Sequence, residues 1–155
     1  MRIRTTVLGL ALALAAGTAA AHDHAGAALS PNDPKAKEIA SLFDRWNSAL
    51  ATGNPETVAS LYAPNGVLQP TVSNEVRVGP AAIERYFVDF LKAKPQGVID
   101  FREIRMLDAD TALDAGVYTF TLTKDGTPVK VQARYTYLYE KVGGEWKIMN
   151  HHSSA

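Results

Sequence analysis

The chain has no cysteine. That excludes disulfides, thiolate nucleophiles, cysteine-attached haem and iron–sulfur clusters, whatever compartment the protein occupies. It also lacks an excess of charge: 16 basic residues face 16 acidic ones. No lysine- or arginine-rich stripe breaks that balance, so nucleic acid is not an expected partner. There are no internal repeats and no nucleotide-binding fingerprint. Outside the N-terminus no apolar run is long enough to cross a bilayer. No cofactor is therefore expected.

What is present begins with a leader. Arg2 and Arg4 precede the apolar run Val7 to Ala16, and Ala19-Ala20-Ala21 supplies a small-residue cleavage site. This is the layout of a secretory signal peptide. Residues 1–21 are read as the signal, with cleavage between Ala21 and His22. Removal of Arg2 and Arg4 leaves 14 basic against 16 acidic residues, a mature net charge of −2. The expected location is periplasmic or secreted, without membrane attachment after cleavage. Residues 22–33, HDHAGAALSPND, are small, polar and proline-containing and are expected to form a flexible leader. His22 and His24 would then stand at the new N-terminus. A histidine at mature position three, with the terminal amine and two backbone amides, offers copper(II) a square-planar site, so His22 and His24 are the metal candidates.

Residues 34–155 read as one domain. Pro34 to Thr52 carries Ile39, Leu42, Phe43, Trp46 and Leu50 at helical spacing, behind Asp33 as N-cap. Asn54-Pro55-Glu56 starts a short helix with Val58, Leu61 and Tyr62 on its buried side. A third helix starts at Gly79-Pro80 and runs to about Lys92. Short strands are expected at Gly66–Gln69 and Val76–Val78, then long ones at Val98–Leu107, Ala112–Thr123, Val129–Tyr139 and Trp146–His152. In ARYTYLYEKVGGEWKIMNHHSSA the tyrosines 135, 137 and 139 alternate with Arg134, Thr136 and Leu138, and Gly143-Gly144 makes the turn. On the return strand regular alternation puts Trp146, Ile148 and Asn150 on one face and Lys147, Met149 and His151 on the other. Helices followed by antiparallel strands give an α+β domain with three N-terminal helices packed on one sheet face.

This order, with SLYAPNGVLQP, GPAAIERYFVDFL and the ending EWKIMNHHSS, resembles the NTF2-like superfamily of cone-shaped domains. That superfamily includes ketosteroid isomerases, SnoaL-like cyclases and the association domain of calcium/calmodulin-dependent protein kinase II. In particular the chain is similar to bacterial stand-alone association-domain proteins of the SgcJ/EcaC family. The resemblance implies a curved antiparallel sheet, a homodimer or higher homo-oligomer formed through the outer sheet face, and a pocket inside the cone. It matches Arg134 to a pocket arginine of the penultimate strand. It puts Ser153 where a further arginine stands in the kinase's association domain, and Gln69 where the isomerases carry an acidic base. An amide cannot take up a proton at neutral pH, so isomerase or cyclase chemistry would need a histidine base.

The candidate ligand residues are Arg134 for charge, Tyr62 and Trp46 as pocket floor, and Arg77 as a second cation near the mouth. Asn150 and one of the two terminal histidines would add hydrogen bonds. His151 and His152 are adjacent, so a strand sends them to opposite faces and at most one enters the pocket. Either is the candidate catalytic base. The expected function is a self-associating, secreted domain that binds a small anionic ligand; the alternatives are an enzyme with a histidine base and a purely structural assembly module.

Overall fold

A computed structural model describes residues 26–71 and 73–155. The expected signal peptide, its cleavage site, His22 and His24 all lie outside the described residues.

The first helix, α1 (Pro34–Ala51), is set by its ends and its apolar stripe. Asp33 Oδ1 accepts from the Lys35 amide at 2.8 Å, Pro34 takes the first helical position, and Gly53 follows at φ 67°. Ile39, Phe43, Trp46 and Leu50 are buried along one face. Helix α2 (Pro55–Ala59) is capped by Asn54, and α3 (Pro80–Phe90) runs into a single 3-10 turn at Leu91–Ala93. The strands are β1 (Tyr62–Gln69), β2 (Arg77–Val78), β3 (Gln96–Met106), β4 (Thr111–Lys124), β5 (Thr127–Val142) and β6 (Glu145–Ser154). They form one sheet in the order β2-β1-β6-β5-β4-β3.

Three expectations are corrected. The sheet is mixed rather than antiparallel, because β1 pairs parallel with β6. Tyr62 opens β1 instead of closing α2, since the short helix stops at Ala59. The leader, from Gly26, does not run free: the amides of Gly26 and Leu29 donate to the carbonyls of Met106 and Ile104 along the outer edge of β3, which among the described residues has no other neighbour.

Two bulges shape the sheet. One falls in β3 between Ile99 and Phe101, opposite β4, and one in β6 at Met149, between the pairs Tyr139↔Ile148 and Leu138↔Asn150. A bulge adds a residue to one strand and increases local bend and twist. Gly116 sits across from the first. A Cβ there would come within 1.9 Å of the Phe101 carbonyl oxygen, so only glycine lets the strands approach. The hairpin between β5 and β6 turns through Gly143 and Gly144, with φ of 61° and 83°.

The inner face carries Tyr118, Phe120, Ala133, Tyr135, Tyr137, Tyr139 and Ile148, all buried under α1 and α3. Burying an apolar side chain of this size contributes roughly 1.5–3 kcal/mol. An aromatic interior therefore holds the sheet around the helices, and the space it does not fill lies towards α3.

Candidate ligand-binding site

The unfilled space is a cavity of about 110 Å³. Trp46 comes from α1, Phe87 and Phe90 from α3, and Leu68 from β1, while Tyr118 and Phe120 of β4 and Ala133 of β5 close the sheet side. The lining is mostly carbon. Its hydroxyl- and imidazole-bearing members are Thr71, after β1, Tyr86 of α3, Tyr118, and two residues of β6, His151 and Ser153.

The bulge at Met149 decides which β6 residues enter. Regular alternation would have put His151 opposite Ile148; the extra residue shifts the phase, so His151 and Ser153 are buried on the same face as Ile148. Tyr62 Oη lies 3.0 Å from His151 Nδ1, and Tyr118 Oη lies 3.4 Å from its Nε2. The ring stacks on Tyr137 at 4.0 Å between centroids, and Trp46 meets it edge-on at 5.2 Å. Trp46 Nε1 donates to Tyr62 Oη at 3.3 Å, and Tyr118 Oη donates to Ser153 Oγ at 2.6 Å. Thr71 Oγ1 is hydrogen-bonded to Ser153 Oγ in turn. Burial pulls His151 down from 6.5 to about 3, with a smaller contribution from His152, so the ring is neutral. Burial raises Tyr62 and Tyr118, which stay protonated.

The other expected site residues are elsewhere. Arg134 alternates with Ala133 and Tyr135 and is exposed on the outer face, its Nη2 donating to the Ala155 carbonyl at 3.4 Å. His152 is also exposed there, opposite Thr136. Asn150 pairs with Leu138 and Val67 on that same outer side. Arg77 is half-buried beside the cavity mouth, paired with Glu75, its guanidinium 5.9 Å over the Tyr86 ring. With Arg85 and Asp89 it edges a shallower hollow that meets the cavity at Tyr86, Phe90 and Leu122. Gln69 pairs in register with His152, whereas its neighbour Leu68, level with His151, forms the cavity wall. The structure thus brings together Trp46, Tyr62 and His151 of the expected set and leaves Arg134, His152 and Asn150 outside. It adds Tyr118, Ser153 and Thr71. Tyr118 and Phe120 share strand parity, which was the available signal for Tyr118; Ser153 and Thr71 carried none.

A second polar group lies in the core beyond α1. Asp114 is fully buried, its Oδ1 accepting from Tyr135 Oη at 3.0 Å and from Arg102 Nε at 3.2 Å. Among the described residues no three histidine, aspartate or glutamate side chains converge to hold a metal, and no helix is long and apolar enough to cross a membrane.

A curved, unclosed six-stranded sheet wrapped round helices, with a partly polar hollow inside, is an NTF2-like α+β cone. Residues 35–155 match the calcium/calmodulin dependent protein kinase II association domain, and the chain belongs to that family. A crystal structure from Xanthomonas campestris, described as such an association domain, is 60% identical with a TM-score of 0.79, covering 85% of this chain and 96% of that one. An NTF2-like protein with a cystatin-like fold from Novosphingobium aromaticivorans shares the fold at 15% identity, TM-score 0.65, over 77% of this chain and 80% of that one. A steroid Delta-isomerase from Nocardioides simplex is 35% identical over 57 residues, 37% of this chain; the match spans only 46% of that enzyme's length.

Proposed function

We propose that this protein is an exported, self-associating binding domain whose cone takes up a small, mainly apolar molecule. The observation that carries this reading is the cavity itself: an aromatic wall around one buried cluster of neutral hydrogen-bonding groups. Such a lining favours an apolar body with one polar end. The anionic ligand expected from Arg134 finds no charge there, because Arg134 faces out. A ligand with an acidic tail would meet Arg77 and Arg85 at the mouth. Export rests on the residues 1–21 pattern alone.

Trp46 lines the cavity, so occupancy will perturb its fluorescence. Titration with small cyclic ketones, hydrocarbons and carboxylates is expected to give saturable changes. Ala133→Leu puts extra carbon into the space and is expected to weaken that binding tenfold or more. If no compound saturates, or Ala133→Leu binds equally well, the reading falls.

Self-association is supported by family membership and by the outer face of β3, where Val98 and Phe101 are 66% and 59% exposed. Large exposed apolar side chains on a sheet face favour a protein contact. Light scattering is expected to show an oligomer, and Phe101→Asp is expected to shift it towards monomer. A monomeric wild type would end this part of the reading.

The isomerase match favours a second reading, an enzyme with His151 as base. The cavity geometry weighs against it: both ring nitrogens are engaged, burial suppresses protonation, and no carboxylate lines the cavity among the described residues. Conversion of a steroid isomerase substrate, lost in His151→Gln, would restore that reading.

A further inference from the structure

The cavity and the hollow outside it meet, and they differ in charge. Tyr86, Phe90 and Leu122 line both, so they form a collar between the two spaces. Inside the collar the lining holds no charged side chain, because its one ionisable base, His151, is neutral through burial. Outside it the lining adds Arg77 of β2 with Arg85 and Asp89 of α3. Asp89 stands one helical turn on from Arg85, yet it is held by Lys92 Nζ at 2.6 Å, and Arg77 Nη1 is paired with Glu75. Arg85 therefore has no carboxylate at ion-pair distance among the described residues. The Arg77 pair is also incomplete. Its Nε is buried and finds no acceptor among the described residues, while the Glu75 side chain is 71% exposed. A guanidinium has only donors, and a buried N–H left without an acceptor is costly. Arg77, Arg85 and Lys92 face Glu75 and Asp89, three positive charges against two negative, so the hollow carries a surplus of one positive charge.

We infer that the ligand is a monoanionic amphiphile, whose apolar body fills the cavity while its single carboxylate stays outside the collar against Arg77 and Arg85. The inference rests on the cavity being a ligand site and names the class of molecule it takes. The orientation follows from desolvation. A carboxylate moved into the cavity would lose its water and meet no cation there. In the hollow it keeps water on one side and has guanidinium groups on the other. A body held inside also keeps the head beside the arginines, so charges that are partly exposed add affinity with no further loss of translational freedom. An ammonium head on the same body gains nothing from Arg77 and Arg85 and is repelled by the surplus charge. The mouth therefore selects by sign.

The test uses octanoate, 1-octanol and octylammonium, which share a chain length and differ in head charge, by calorimetry at neutral pH and low salt. Octanoate is expected to bind about fivefold more tightly than octanol, the upper end for a charge pair at a partly exposed site. Octylammonium is expected to bind more weakly than octanol. Added salt is expected to shrink the advantage of octanoate. Arg77→Gln combined with Arg85→Gln is expected to bring octanoate level with octanol. Glu75→Gln releases Arg77 and is expected to widen the gap, a shift that damage to the fold does not produce. Ala133→Leu is expected to weaken all three ligands alike, which locates the chain inside the cavity. Octylammonium binding as tightly as octanoate overturns the inference. So does a gap that the double variant leaves intact, or octanoate binding that Ala133→Leu does not change. If octanol binds and octanoate gains nothing over it, this inference falls and the cavity remains a ligand site; if none of the three binds, both fall.

Discussion

Acidification from pH 6.5 towards pH 4 is expected to destabilise the fold by on the order of 3 kcal/mol through one residue, His151. In the unfolded chain the imidazole takes up a proton near its ordinary 6.5; in the folded protein burial holds that event down to about 3. Between those values the unfolded chain binds a proton and the folded one does not. Stability from this group is therefore complete above 6.5 and drains away as the pH falls towards 3. Among the described residues no anionic group contacts the ring to offset the cost of charging it. Tyr62 and Tyr118 hold its two nitrogens, Tyr137 covers its face and Trp46 its edge, and all four are neutral. Urea denaturation at a series of pH values will measure the slope. His151→Gln separates it from the general acid response, because a glutamine amide supplies an acceptor and a donor yet does not titrate. The wild type is expected to lose stability much faster than His151→Gln over this range. Parallel curves would mean that the ring is already charged, or solvated, in the folded state.

The same histidine shows where the sequence runs out. Adjacent histidines on a strand must diverge, and that much was readable. Which one turns inward depended on the bulge at Met149, and nothing in EWKIMNHHSS marks a bulge. The parallel pairing of β1 with β6 was equally hidden, because it joins segments more than eighty residues apart and leaves no local pattern. The helices were legible through their caps and their three- and four-residue apolar spacing. So were the long strands, through alternation. Arg134 is the opposite case. It is out of phase with Tyr135, Tyr137 and Tyr139, which already assigned it to the face away from the tyrosines. Asp114 was readable by the same rule, since it shares parity with Tyr118 and Phe120 and so must point into the core.

Asp114→Ala is expected to cost about 3–5 kcal/mol, the usual penalty for removing one partner of a buried ion pair. The carboxylate is fully buried, while the Arg102 guanidinium is mostly covered and lies 5.6 Å over the Phe43 ring. Deleting the acid leaves that cation with no counter-charge and strips Tyr135 Oη of its acceptor. The pair is not thereby a strong source of stability. Arg102 Nη2 has no acceptor among the described residues, so the desolvation of the guanidinium is only partly offset. Burial pushes the Asp114 carboxyl above its ordinary 3.8, and Arg102 and Tyr135 only partly hold it back. The folded state thus grips this proton more tightly than the unfolded chain does, and its contribution to stability rises on acidification, opposite in sign to that of His151. A double-mutant cycle distinguishes the terms. Asp114→Leu with Arg102→Met replaces charge by carbon of similar bulk and is expected to recover most of the single-mutant loss, as measured by chemical denaturation. Losses that simply add would show that the two charges do not depend on each other in the folded protein.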